Sequence, residues 1–186
     1  LGYHKRDLMV NRVESARDAQ QEAKEQFESA LEKFSQVLKL DGGELEEKYE
    51  QLKTAYDKSN DRAETVRDRI EAVEDVSEAL FEEWQAELDQ YTSDSLRRSS
   101  ARKLKQTRRQ YTQLIGAMKR AEKKMEPVLS AFHDQVLFLK HNLNARAIAS
   151  LQTELVSVEA EVNSLIRDME ASIKEADAFI DAMAKE

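Results

Sequence analysis

The chain has little of what interrupts a helix and none of what forms a disulfide. Its 186 residues include four glycines, one proline and no cysteine. Glycine and proline are the residues least compatible with a helix interior, so their scarcity leaves long stretches free to be helical. The absence of cysteine excludes disulfides and thiolate metal sites, but it does not fix the cellular compartment. No stretch approaches the roughly 18 to 20 uninterrupted apolar residues of a membrane span.

Apolar residues recur instead at alternating spacings of four and three. Such a seven-residue repeat, held over four or more heptads, is typical of long helices packed along coiled-coil seams. Two polar residues, Gln20 and Ser172, fall in register with these repeats. The first set is Met9, Val13, Ala16, Ala23, Phe27, Ala30, Phe34 and Val37, and the second is Ile148, Leu151, Leu155, Val158, Val162, Leu165, Met169, Ala176, Phe179 and Met183.

Turn-forming residues divide the chain into four predicted helices. Paired glycines follow residue 41, and polar clusters occupy 92–95 and 141–144. The prediction is an all-α protein, a single elongated domain over 1–186, with helices at about 4–40, 44–91, 96–140 and 145–185. Short connections make neighbouring helices antiparallel, which gives a rod of ~50 to 70 Å. Pro127 lies inside the third helix, where we expect a kink or a short break.

Charge is unevenly distributed along the chain. The 29 basic and 37 acidic residues give a net charge of −8, which argues against nucleic acid as a partner. Residues 70–96 hold nine acidic residues and no basic one, whereas 97–124 hold eleven basic residues and one acidic, Glu122. Two readings stay open: complementary charges that align two neighbouring helices, or a face that binds phosphates. The first predicts that Arg97, Arg98, Arg102, Lys103, Lys105, Arg108 and Arg109 oppose Glu82, Glu83, Glu87 and Asp89.

A smaller basic group should have no acidic residues opposite it to neutralise its charge. In the predicted hairpin, residues 119–124 oppose 67–69, which adds positive charge to positive charge. Such a surface could bind lipid headgroups or another anionic partner, and the alternative is a solvated helix face. The candidate residues are Arg67, Arg69, Lys119, Arg120, Lys123 and Lys124.

Nothing in the sequence forms a known catalytic or metal-binding motif. The three histidines are His4, His133 and His141, and none follows a glutamate by three positions as in di-iron four-helix bundles. Motifs of zinc proteases, P-loops and dinucleotide sites are absent too. A narrow rod also rarely offers the concave pocket that an active site needs. We therefore expect no enzyme, no metal and no cofactor.

One segment does not fit a simple rod. In residues 132–151, four consecutive apolar residues, 136–139, place apolar side chains all round the helix. Either the third helix is central at this end, or the segment carries a patch for a partner such as a second copy. The candidate partner-binding residues are Phe138, Lys140, His141, Asn142, Asn144 and Arg146.

The same segment carries a family resemblance. Residues 134–151, DQVLFLKHNLNARAIASL, resemble the signature of an uncharacterised bacterial family, a domain of unknown function found in envelope proteins. The segments 2–7, 96–100 and 120–125 are similar to it as well. In that family the domain typically follows a signal peptide, often of lipoprotein type. The resemblance therefore implies export to the periplasm or envelope and is compatible with a lipid anchor before Leu1, and it implies no reaction.

Two functions are compatible with these features. The first is a non-catalytic structural or protein-interaction protein of the bacterial cell envelope, acting on a protein partner or on a second copy. The second is a membrane-binding module similar in kind to BAR domains, which are also long antiparallel helical coiled coils. It would use the basic surface of the third helix. Because the chain opens on Leu1 and not on methionine, we expect that its true N-terminus is missing, and removal of a signal peptide is one explanation.

Overall fold

The computed structural model describes residues 2–40 and 42–185. Four long α-helices account for nearly all of this part of the chain, which contains no strand, so the all-α prediction is confirmed. A short 3-10 helix lies between the second and third. The elements are α1 (Gly2–Lys39), α2 (Leu45–Glu87), the 3-10 helix (Leu88–Gln90), α3 (Asp94–His141) and α4 (Ala145–Ala184).

The helices form a closed ring in chain order. α1 packs on α2, α2 on α3, α3 on α4, and α4 returns to α1, whereas the backbones of diagonally opposite helices do not approach in the described part. Ion pairs fix the antiparallel register: Arg62 of α2 meets Glu22 at 3.0 Å, and Arg17 of α1 meets Asp177 of α4 at 3.0 Å. This is the up-down-up-down arrangement that short connections favour.

The heptad positions form the core, including its polar members. Gln20 and Ser172 are both fully buried, and the Ser172 hydroxyl donates to Oε1 of Gln20 at 2.6 Å. The two polar residues of the repeats therefore face each other between α1 and α4. Because a buried polar group without a partner destabilises a fold, this pair favours one alignment of the two helices.

α1 and α2 form the most extensive helix pair, and several of their buried residues are small. Gln26 of α1 reaches across to the carbonyl of Ala55 at 3.5 Å and to the hydroxyl of Ser59 at 3.4 Å. Small side chains let two helix backbones approach closely and increase their dispersion contacts. The small buried residues are Ala16, Ala19, Ala23 and Ala30 on α1, and Ala55, Ser59 and Ala63 on α2.

Large aromatic residues fill the core near the two short connections. Phe132 of α3 stacks on Phe34 with ring centroids 4.5 Å apart and lies 6.4 Å from Phe27. All three side chains are fully buried. They extend across the bundle from α1 to α3, whose backbones are diagonal neighbours. This end of the rod therefore has a filled core of four helices.

The predicted turns are present. Gly42 and Gly43 have φ of 80° and 87°, conformations that glycine adopts without strain; Asp41 of the predicted stop lies outside the described residues. The side chain of Ser93 accepts from the amide of Leu96 at 3.2 Å and caps α3, and Asn144 accepts from Ala147 at 2.9 Å and caps α4. α3 therefore begins at Asp94, ahead of the predicted 96, and α2 ends at Glu87, ahead of the predicted 91.

α3 is continuous through Pro127, so the helix does not break there, whereas a kink at this residue stays a prediction. Proline removes one backbone donor and crowds the preceding turn. Pro127 is exposed on the solvent side of α3, whereas Met125, Val128 and Leu129 around it are buried. Packing of these neighbours holds the helix together, and water can satisfy the carbonyl that lost its donor.

The hairpin of α2 and α3 extends past the start of α1 and the end of α4. Lys5 forms an ion pair with Glu83, and the Arg6 guanidinium donates to the carbonyl of Met183 at 3.5 Å. These contacts place the first turn of α1 and the last turn of α4 at about the level of Glu83 along the rod. Residues 84–106, which follow Glu83 and return along α3, form what we call the hairpin tip. Within residues 2–40 and 42–185, the rod therefore has a four-helix end and an end where only α2 and α3 are present.

Candidate functional site

The predicted basic surface is partly neutralised by acidic neighbours. Lys119 of α3 pairs with Glu74 at 2.9 Å, and this bond raises the pKa of Lys119. Arg67 of α2 pairs with Glu126 at 3.2 Å. For Lys119 and Arg67 the expectation that positive charge adds to positive charge is wrong, because each of these two side chains meets an acid on the facing helix.

The same candidate residues also fail to share one face. Lys124 points toward α4, where it pairs with Asp168 at 2.9 Å and donates to the Ser164 hydroxyl at 2.9 Å. Arg69, Arg120 and Lys123 are exposed and form no ion pair within the described chain. The six residues therefore lie on two helices, α2 and α3, and Lys124 faces α4, so they do not converge on a single anionic-surface site.

Arg97, Arg98 and Glu83 have other partners than the charge pairing expected within the α2/α3 hairpin. Arg97 and Arg98 pair with Asp94 of their own helix, at 2.7 and 3.2 Å, and Glu83 pairs with Lys5 of α1. The Arg108 guanidinium lies over the ring of Phe81, 5.5 Å from its centroid. Arg102, Lys105 and Arg109 are exposed and form no ion pair with any described residue. Basic charge therefore remains at the hairpin tip.

Apolar and aromatic side chains accompany that charge. A cleft of about 590 Å³ lies at the tip, lined by Trp84, Tyr91, Leu96 and Arg102 among others. Nε1 of Trp84 donates to the Ser100 hydroxyl at 2.8 Å, which joins α2 to α3. Tyr91, the last residue of the predicted second helix, is 42% exposed, and Leu96 is 60% exposed. Both lie past the described ends of α1 and α4, so no helix among the described residues covers them.

At the other end, the predicted partner-binding residues do not converge. Asn144 caps α4, and Nδ2 of Asn142 donates to the carbonyl of Phe138 at 2.9 Å, so both amides serve helix ends. Lys140 lines a cleft with several α2 glutamates, on a different side from Phe138. His141 and Arg146 are exposed. Of these six residues, only Phe138 lines the groove between α3 and α4, whose lining is partly apolar and partly polar.

That groove lies between α3 and α4 and has a volume of about 470 Å³. Phe138 is 42% exposed and Leu137 is 45% exposed, whereas Val136 and Leu139 are buried. The run of four apolar residues is thus half core and half surface. Gln135 lines the groove at 4% exposure, and neither of its amide atoms has a hydrogen-bond partner. The rim holds three acids, Asp134, Glu154 and Glu161.

Sequence reasoning missed an uncharged face on α4. Val156, at its centre, is 73% exposed, the most exposed large apolar side chain described. The signal was present in the sequence, because the five residues follow the same alternation of four and three as the buried seams. What we call the outward face of α4 consists of Ala149, Thr153, Val156, Ala160 and Asn163, all exposed.

The titratable groups show structural pairings and no converging acid–base set. Burial raises the pKa of Glu122 and raises the pKa of Tyr111 to about 12. A bond from Lys5 lowers the pKa of Glu83. The His133 ring lies 5.3 Å from that of Tyr56. No group of three or more metal-ligating side chains occurs in 2–40 and 42–185, and no helix in these ranges is long and apolar enough to cross a membrane.

Comparison with known proteins identifies the family. A family model described as a protein of unknown function, DUF2959, matches residues 1–183. The chain belongs to this family. No curated protein and no solved structure matches it. The family membership agrees with the resemblance of 134–151 to a domain of unknown function, and it assigns no reaction.

Proposed function

We propose that this chain is a non-catalytic structural protein of the bacterial cell envelope that works through protein–protein contact. Its first partner is a second copy, bound through the outward face of α4. The single observation that carries this proposal is the character of that face. It is an exposed, uncharged, seam-like stripe on a protein in which 35% of residues are charged.

The spacing of the face suits a helix as its partner. Its residues recur at 4, 3, 4 and 3 positions, as in the buried seams of α1 and α4. A stripe with this period stays on one side of a helix and can pack along another helix. From Ala149 to Asn163 the stripe extends for about 21 Å at 1.5 Å per residue.

Charge favours a second copy over an unrelated acidic or basic partner. Each copy carries a net charge of −8, so two copies repel each other over most of their surfaces. An uncharged face is where two acidic copies meet with the least repulsion. A two-fold axis through Val156 would pair the same stripe with itself, which is how isologous dimers form.

Packing within the bundle offers a precedent for this interface. The outward face combines alanine, threonine and one valine, much as the α1/α2 pair combines alanine and serine. Small residues permit close backbone approach and dense contact between two helices. Phe138, in the neighbouring α3/α4 groove, is exposed beside this face and would add apolar area at its edge.

The non-catalytic part rests on the bundle and its sequence. The described residues bring no nucleophile, base and orienting group together, and the clefts are open surface grooves between helices. The envelope part rests on the resemblance of 134–151 to exported bacterial proteins. Fractionation of bacteria that express the complete gene tests it, with the protein expected in the envelope fraction. Recovery in the cytosolic fraction would contradict the location.

Self-association is tested by sedimentation of the purified chain over a range of concentrations. We expect a mass of twice 21.4 kDa for the wild type. In V156E, a carboxylate would be buried without a partner in the interface, which should weaken dimerisation more than about a hundredfold. A171E adds the same charge at an exposed position on the same helix, beyond Arg167, and should leave the dimer intact. A wild type that stays monomeric, or equal dimerisation by V156E, would overturn the proposal.

A further inference from the structure

The hairpin tip is the positive end of an acidic protein. Residues 97–109, on the α3 side of the tip and in the turn that follows it, hold seven basic residues and no acidic one, in a chain of net charge −8. Arg98, Arg102, Lys105 and Arg109 are spaced by 4, 3 and 4, so they form one exposed ridge along α3. Only Arg98 of the four is paired, with Asp94. The ridge is therefore a local field of the sign that attracts anions.

The end of the tip is apolar and aromatic. Leu96 and Tyr91 are exposed there, and Trp84 lies behind them in the same cleft. Leu96 continues the inner seam of α3 past the level where α1 and α4 stop, so nothing in the described chain covers it. Tryptophan and tyrosine are enriched where one end of a side chain meets hydrocarbon and the other meets water.

We propose that the hairpin tip docks end-on to the surface of an anionic phospholipid membrane. Leu96 and Tyr91 enter the boundary between headgroups and acyl chains, and Arg97, Arg98 and Arg102 bind lipid phosphates. Arg102 follows Leu96 by six residues, about 9 Å along the helix. That rise matches the depth of ~5 to 10 Å to which interfacial apolar residues are buried.

A membrane fits the tip better than a nucleic acid does. Duplex or single-stranded nucleic acid would use the ridge but would leave Leu96 in water. A lipid surface uses both features, because it offers phosphates beside a hydrocarbon layer. This site is separate from the outward face of α4, which lies toward the other end of the rod, so membrane binding and self-association can be tested independently.

Co-sedimentation with vesicles tests the proposal. The purified chain should bind vesicles of phosphatidylglycerol and phosphatidylcholine at low salt, and should bind pure phosphatidylcholine vesicles far more weakly. R98E/R102E should lose at least about twentyfold in affinity, since each basic residue near an anionic surface contributes about 1 kcal/mol. L96E should lose about tenfold or more through the lost burial of the leucine.

A control pair on the same helix separates the tip from net charge. R120E/K123E changes the charge by the same amount at exposed positions outside the tip. At about 0.1 M salt it should bind within about twofold of wild type, because these positions lie farther from the membrane than the Debye length of about 10 Å. Trp84 is the single tryptophan, so its quenching by acyl-brominated lipids reports whether the tip is at the bilayer. Absent vesicle binding, equal loss in the control pair, binding without quenching, or binding to duplex DNA but not to vesicles would each overturn the proposal.

Discussion

The two ends of the rod both expose apolar side chains, but in different electrostatic settings. Toward the four-helix end, Val156 lies in a stripe of small uncharged residues on a helix whose inner side is fully packed. At the hairpin tip, Leu96 lies on α3 next to a run of basic residues that includes the exposed Arg102 and Lys105. Exposure alone does not distinguish the two sites. The charge around each apolar residue indicates what kind of surface would cover it.

The comparison also concerns stability. Four helices and the buried rings of Phe27, Phe34 and Phe132 support the first end, whereas the tip is held by the bond between Trp84 and Ser100 and a short seam. Elements with few buried contacts open more readily than a packed core. The four-helix end should therefore set the global stability, and the tip should tolerate changes that affect binding alone.

The largest expected difference in the free energy of unfolding is between a substitution in the aromatic core and one at the tip. F132A removes a fully buried ring that stacks on Phe34 at 4.5 Å. Such a cavity typically lowers the free energy of unfolding by about 3 to 5 kcal/mol. L96A at the tip should change it by less than about 0.5 kcal/mol, as exposed substitutions do. Urea unfolding followed by circular dichroism measures both, and similar losses would contradict a tip uncoupled from the core.

The two helix caps give the next contrast. N144A removes the acceptor for the Ala147 amide in the four-helix part, and S93A removes the acceptor for the Leu96 amide at the tip. Each loss destabilises its own helix start by about 1 kcal/mol. N144A should lower global stability by that amount, whereas S93A should mainly speed amide exchange in the first turn of α3. Hydrogen exchange separates the cases, and slow exchange throughout the S93A tip would count against the contrast.

Asp94 should limit how positive the tip is. It accepts from Arg97 at 2.7 Å and pairs with Arg98 at 3.2 Å. D94N removes one negative charge, which should raise the affinity for phosphatidylglycerol vesicles about fivefold, equivalent to about 1 kcal/mol per charge. The substitution should leave the dimer mass unchanged. Weaker vesicle binding by D94N would show that the two arginines need the acid to be positioned.

The smallest expected effect on stability is that of replacing Glu122, which lies between the two ends of the rod. Burial raises the pKa of this carboxyl, so the folded state disfavours its charged form. A raised carboxyl pKa destabilises the fold at pH values above it, and the penalty disappears as pH falls below the unfolded value. E122Q should therefore be slightly more stable than wild type at neutral pH and equal to it in acid. A reversed sign in paired denaturation curves would show that Glu122 contributes net stabilisation through Lys119.

The sequence predicts the helices better than their surfaces, for a physical reason. Heptads, Gly42 with Gly43 and the caps act locally, so the number and ends of the helices follow from nearby residues. Ion-pair partners depend on how each helix is rotated about its axis, and aligning two helices by residue number does not give this rotation. Lys124, for example, faces α4 and not α2. The projection of the tip depends on where α1 and α4 stop in space. The outward face of α4 was visible in the spacing and went unrecognised because a buried seam on the same helix explained the repeat.

One measurement compares the two ends directly. The chain has no cysteine, so V156C and L96C each introduce a single thiol. Treated in solution with a short thiol-reactive crosslinker, V156C should be captured as a covalent dimer, because Val156 lies near the proposed two-fold axis. L96C should stay monomeric under the same conditions, because the tip is proposed to bind a membrane and to make no contact with a second copy. Crosslinking of L96C without crosslinking of V156C would contradict the assignment of the two ends.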